Sequence, residues 1–169
     1  FYNCDGIETL SLPAGVKEIG NYAFQSIDSL RTETFAAGSQ LTTLVQNAFS
    51  DNPKLESINL EACTQLTAIG DNALYNCPSL RSITIPAAVE TFGSSILGYT
   101  NNIETLTFLA ASVPNDFYRG RPKLTTLNIG AGVKTIGDNA FRGNATLKQL
   151  NIDPAVSDLT MGHDAFWSS

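Results

Sequence analysis

An apolar residue opens a short motif again and again along this chain, at Ile7, Leu30, Leu55, Leu80, Ile103, Leu124 and Leu147, with successive gaps of 23, 25, 25, 23, 21 and 23 residues. A period in the twenties constrains the fold more than any single residue does, because it belongs to solenoids with one short strand per turn. Further apolar side chains follow three and five positions after the opener, at Leu10/Leu12, Ile58/Leu60, Ile83/Ile85, Leu106/Phe108, Leu127/Ile129 and Leu150/Ile152. That spacing predicts a corner and then an extended segment with alternate side chains pointing inward.

Two more inward clusters recur in each copy. One is Val16/Ile19, Leu41/Leu44, Leu66/Ile69, Val89/Phe92 and Val133/Ile136; the other sets a small residue before a large one, at Ala23-Phe24, Ala48-Phe49, Ala73-Leu74, Ala140-Phe141 and Ala165-Phe166. Three clusters per turn predict a closed coil with one continuous core. No copy can bury its apolar face alone, so stacked neighbours must do it.

The pattern L-x-x-L-x-L/I-P, then V-x-x-I-G-x-x-A-F, then x-C-x-x-L resembles the BspA-like, or Treponema-type, leucine-rich repeat of bacterial surface proteins, and it covers essentially the whole chain. The resemblance implies a leucine-rich-repeat solenoid, a β-rich right-handed superhelix of the α/β type. Each repeat of 21 to 25 residues would give one short parallel strand, with turns, short strands or helical turns on the other side. It also implies export to the cell surface, outer-membrane anchored or secreted, and roles in adhesion and in binding host proteins. Residues 1–169 are expected to form a single solenoid of about seven repeats.

Composition narrows the function. Apolar residues make up 43% of the chain, enough for a core, and charged residues only 15%, as suits an exposed face built from Ser, Thr and Asn. A net charge of −6 argues against nucleic acid or an anionic membrane as partner, since both call for a basic stripe. The apolar runs fall far short of the ~18 residues that direct membrane insertion needs.

The chain opens in mid-repeat, Phe1-Tyr2-Asn3-Cys4 aligning with Leu74-Tyr75-Asn76-Cys77, and ends where another opener should follow. The expectation is a piece of a longer exported protein. Cys4 and Cys77 hold one repeat position, three before an opener, where other copies have Ile27, Asn52, Thr100, Arg121 and Asn144. Three repeats at roughly 5 Å each put them too far apart for a disulfide, so all three cysteines, Cys63 included, read as buried or half-buried thiols.

Alternation sets the outward face of the strands: Thr9/Ser11, Thr32/Thr34, Ser57/Asn59, Ser82/Thr84, Thr105/Thr107, Thr126/Asn128 and Gln149/Asn151. Short hydroxyls and amides about 5 Å apart can serve the strand alone, bonding along the ladder. They can also offer a shallow polar surface to a glycan or an extended peptide. Thr84, Thr105, Thr107, Thr126 and Asn128 are the candidate residues on this face. Beside it, Glu8, Arg31, Glu56, Arg81, Glu104, Thr125 and Lys148 form a column of largely alternating charge that would fix register.

Two copies depart from the pattern. Glu33 stands where other copies have Leu or Ile, which predicts either a locally irregular strand or a partner for the carboxylate. In the fifth and shortest copy, residues 109–123 lose the I-G turn and place Phe117 at the small position, followed by Tyr118, Arg119, Arg121 and Lys123. This is the one basic concentration in an acidic chain. Phe117, Tyr118, Arg119 and Arg121 are therefore the second candidate binding surface, unless the copy has only drifted, with Tyr118 buried and the arginines solvated.

Catalytic signals are missing. A single histidine, His163, leaves no metal-ligand cluster; no Gly-rich loop points to a cofactor, and glycosidase chemistry needs a second acid beside Glu33. Asn144-Ala145-Thr146 matches the N-glycosylation acceptor, and Asp71-Asn72 and Asp138-Asn139 suit turns. The reading that follows is a non-enzymatic extracellular recognition module for a protein or glycan, without cofactor or metal. Its alternative is a spacer that carries another domain away from the envelope.

Overall fold

A computed structural model describes all of residues 1–169. Fourteen strands alternate in length and position: β1 (Thr9–Leu12), β2 (Glu18–Ile19), β3 (Thr32–Phe35), β4 (Thr43–Leu44), β5 (Ser57–Ile58), β6 (Ala68–Ile69), β7 (Ser82–Ile85), β8 (Thr91–Phe92), β9 (Thr105–Phe108), β10 (Ser112–Val113), β11 (Thr126–Ile129), β12 (Thr135–Ile136), β13 (Gln149–Ile152) and β14 (Thr160–Met161). The odd-numbered strands stack along one side and the even-numbered ones along another, and every pairing is parallel. The one helical element is a single 3-10 turn, Leu60–Ala62. The molecule is the solenoid that the spacing predicts, and the leucine-rich-repeat solenoid that the resemblance implies, in about seven turns.

Register follows the period residue by residue. Ser82, Thr105, Thr126 and Gln149 stand side by side, as do Ile85, Phe108, Ile129 and Ile152. A slip of one residue would turn the apolar set outward, so burial holds the alignment. In the last copy Met161, not Leu159, pairs with Ile136. The inward side chains merge into one core of 38 buried residues, except on β13, where Leu150 and Ile152, expected to point into the core, are exposed. Each fully buried Leu, Ile or Phe contributes roughly 1.5–3 kcal/mol.

The third side of the coil is made of turns that bond from copy to copy. The N–H groups of Asn47, Phe49 and Asp51 donate to the carbonyls of Asp71, Ala73 and Tyr75, and those of Asn72, Leu74 and Asn76 to Ser94, Ile96 and Gly98. Each such turn places two residues four apart in the left-handed region, among them Asn47 and Asp51, Asn72 and Asn76, and Asn139 and Gly143. This explains the recurring Asn, Asp, Ser and Gly there, the residues that tolerate that conformation best.

At three of the positions three before an opener a polar residue, Asn52, Thr100 or Asn144, is buried inside the coil. Asn52 accepts from the Ile27 N–H at 2.9 Å and donates to the carbonyls of Phe24 and Phe49, both at 2.8 Å. Asn144 repeats this with Arg121, Tyr118 and Phe141, and Thr100 does so with Cys77 and Leu74. Sequence reading saw these positions only as places where cysteine is replaced. Their work is to tie each copy to its predecessor where no strand can. Asn144 therefore has its amide engaged twice and buried, so it is no glycosylation acceptor in the folded chain.

The cysteines part company. Cys63 and Cys77 are buried, with burial pushing the Cys77 thiol up to about 12, but Cys4 is exposed, contrary to expectation. Cys4 lies in the first turn, with no earlier copy stacked over it in this chain.

Candidate functional site

The outward face of the long strands is half-exposed at Thr84, Thr105, Thr107, Thr126 and Asn128. Hydrogen bonds run along part of it: the Asn128 amide donates to the Thr107 hydroxyl at 3.0 Å, Asn151 donates to Asn128 at 2.8 Å, and Thr126 to Gln149 at 3.4 Å. The Thr84 and Thr105 hydroxyls bond nothing within the chain. Alongside, Arg31 meets Glu56 at 2.8 Å and Arg81 approaches Glu104 at 3.9 Å, so the charged column forms in pairs. All four side chains are more than half exposed or close to it, and such pairs fix register more than they stabilise.

This face is interrupted once. After Ile58 the third copy leaves the sheet for the 3-10 turn, and β5 does not pair with β7. Asn59 replaces the missing backbone, its side chain accepting from the Phe35 N–H at 2.7 Å and donating to the Phe35 carbonyl at 3.2 Å. The bend leaves a shallow hollow of about 200 Å³ whose lining includes Thr34, Ser57, Asn59, Glu61, Ser82 and Thr84.

Glu33 also lines this hollow, and it satisfies neither expectation. Its strand is regular, with Glu33 in register between Leu10 and Ile58, and its two carboxylate oxygens are buried without any hydrogen-bond partner. Burial pushes its pKa up to about 8. At 1% exposure Glu33 is part of the buried interior.

The fifth copy comes apart as a surface. Tyr118 is fully buried, and its hydroxyl donates to the Thr100 carbonyl at 2.7 Å. Desolvation raises its pKa, so the phenol stays protonated, and no ligand can touch it there. Phe117 is half-buried, packed edge-on against Phe108 at 5.1 Å and Phe92 at 5.9 Å. Arg119 is exposed and paired with Asp116 at 3.2 Å. Arg121 lies over the Tyr118 ring at 4.9 Å and donates to Asn101, while its Nε–H is buried without a partner. Tyr118→Phe is expected to lower the unfolding free energy by about 1 kcal/mol by orphaning the Thr100 carbonyl. An unchanged urea midpoint would mean water replaces the phenol.

The fifth copy does open a cavity, with residues the sequence reading did not single out. Between the fourth and fifth copies the short strands β8 and β10 do not pair. The turn ladder stops there too: the N–H groups of Ser95, Leu97 and Tyr99 reach no carbonyl of the next copy. One substitution and one position swollen in both copies account for it. Pro114 replaces the glycine that elsewhere sits against the previous turn, and it lacks the N–H with which Gly93 bonds the Ile69 carbonyl at 2.7 Å. Ile96 and Phe117 both fill the position that is Ala in other copies and prop the turns apart. The result is a cleft of about 380 Å³ lined by both of them, Pro114 and Arg121. The lost I-G turn marked this place in the sequence, but only the stacking of neighbours shows that it opens a gap.

The sequence matches the BspA type leucine-rich repeat region in six copies, over residues 1–113 and 111–169. The chain belongs to the BspA-type leucine-rich repeat family. Among solved structures, this BspA-type chain is similar to the leucine-rich repeat protein TpLRR of T. pallidum, at 22% identity and a TM-score of 0.61, over 96% of this chain and 63% of that one. It is similar also to a leucine-rich repeat protein of Eubacterium ventriosum, at 18% identity and 0.64, over 97% and 59%. The pneumococcal vaccine antigen PcpA matches at 17% identity and 0.52, over 89% and 52%. At these identities the likeness is one of fold, and the BspA-type chain spans between 52% and 63% of the length of these relatives. No curated protein sequence matches it. No helix in it is long and apolar enough to cross a membrane.

Proposed function

We propose that the chain is a non-enzymatic recognition module of a bacterial cell-surface protein, binding an extracellular protein or glycan through its outward strand face. One observation carries this reading: the face from Thr84 to Asn128 is half-exposed, uncharged, and has hydroxyls such as those of Thr84 and Thr105 that the fold does not use. Polyols and peptide backbones are read by such groups, set on rigid strands at a fixed spacing. Membership in the BspA-type family supports placement at the surface.

The test is binding of the folded chain to arrays of extracellular-matrix proteins and glycans, with Thr84→Ala/Thr105→Ala as the paired variant. A ligand lost in the variant supports the strand face. A ligand kept moves recognition to another surface, and silence from a folded sample favours the spacer.

A further inference from the structure

We propose that the cleft between the fourth and fifth copies is a docking site for an extended acidic peptide, which inserts parallel to the turns and completes their interrupted hydrogen-bond ladder. The inference rests on the recognition reading and gives it a second, separable surface.

The argument starts from what every other interface in the stack does. Each turn sends three N–H groups, two residues apart, to three carbonyls of the next turn, as Asp116, Tyr118 and Gly120 do to Asp138, Ala140 and Arg142. At the fourth interface the donors Ser95, Leu97 and Tyr99 and the matching acceptors Asn115, Phe117 and Arg119 are both present and unjoined. Ser95 and Leu97 line one wall of the cleft, Asn115 and Phe117 the other. Backbone groups left in this state favour whatever can pair with them. An extended peptide does so on both edges at once, presenting carbonyls to the fourth copy and N–H groups to the fifth. The stack is parallel throughout, so the peptide must run in the same direction as the turns beside it. Strand addition draws affinity from such main-chain bonds and specificity from side-chain pockets. The cleft volume of about 380 Å³ lies within the usual range for ligand sites, ~300–1,000 Å³.

Charge selects the peptide. Arg121 lines the cleft, has no carboxylate partner, and buries an Nε–H that bonds nothing. Its other contacts, Asn101 and the Tyr118 ring, hold it in place without neutralising it. An Asp or Glu side chain supplies both the missing acceptor and the missing charge, and a hydrogen bond to a charged group is stronger than a neutral one. The one acidic residue that lines the cleft, Asp116, is already neutralised by Arg119 at 3.2 Å.

The experiment is amide hydrogen exchange read by NMR, with and without a peptide selected on the whole chain from a displayed library of linear acidic peptides of about ten residues. In the free chain the Ser95, Leu97 and Tyr99 amides should exchange at least ~10-fold faster than Asn72, Leu74 and Asn76, which hold the same places one copy earlier. Bound peptide should slow those three amides by a similar factor. Arg121→Gln should weaken the peptide about tenfold while leaving the free chain's exchange pattern unchanged. Equal protection of the two sets in the free chain overturns the proposal, as does a peptide that protects only outward-strand amides. If no peptide is selected while the arrays still yield a ligand, the cleft fails and recognition at the strand face stands. Silence in both overturns both.

Discussion

Replacing Glu33 by isoleucine stabilises the fold, and the gain is several times larger at about pH 9 than at about pH 5. The direction follows from the carboxyl's two environments. In the unfolded chain it titrates near 4.5; in the folded chain, between Leu10 and Ile58 and with both oxygens unpartnered, it titrates near 8. Between those values the folded state keeps a proton that the unfolded state has released. The contribution to stability is thus fully present below about 4.5 and is lost as the pH rises through about 8. At about 1.4 kcal/mol per pH unit across that interval, the loss is on the order of 5 kcal/mol. That figure is an upper bound, because local opening of the two-residue strand β5 would admit water to the carboxylate at lower cost. At low pH only the burial of a neutral but unpartnered carboxyl remains, about 1–3 kcal/mol. Urea unfolding of the wild type, Glu33→Ile and Glu33→Gln across this range decides the matter. Both variants should lose the alkaline decline. If Glu33→Gln keeps the wild-type slope, the carboxylate is solvated and the decline has another source.

Glu33 also shows what a sequence can and cannot declare. Its repeat position announced an inward carboxylate, because periodicity assigns each residue a face before any contact is known. The same logic placed the core, the strand register and the outward Thr and Asn ladder. Tyr118 was harder, since an aromatic beside three basic residues reads as a surface until the large-residue position of the repeat is given precedence, which turns it into the core. The cleft was legible only in part. Pro114 and Phe117 departed visibly from the I-G and Ala positions, but Ile96, one copy earlier, did not draw notice, and the gap exists only because the two copies' departures face each other. An interface between repeats is a property of a pair, and a single-copy alignment does not display it.

The buried asparagines extend this point to stability, and Asn52→Leu is expected to cost about 3–5 kcal/mol. Leucine matches the apolar surroundings and the approximate volume, so a purely hydrophobic account of the core would expect little change. The hydrogen bonds say otherwise. Asn52 pairs the Ile27 N–H and the carbonyls of Phe24 and Phe49; with leucine the first two stay buried and unpaired, and the Phe49 carbonyl keeps only the weak Cys77 thiol donor at 3.3 Å. Each orphan costs about 1–3 kcal/mol, offset in part by relaxation and by the greater apolar burial of leucine. Asn144→Leu should behave alike, since its amide meets the corresponding three groups four copies later in the stack. The informative control is Gln25→Leu, on the half-exposed turn outside the same copy boundary, where the side chain donates to Asp51 at 3.0 Å and the backbone is not left-handed. If Asn52→Leu unfolds at the same denaturant concentration as that control, the polar column is incidental and apolar packing alone joins the copies. A large separation between the two makes the column the element that lets turns without strand pairing hold the repeats in line.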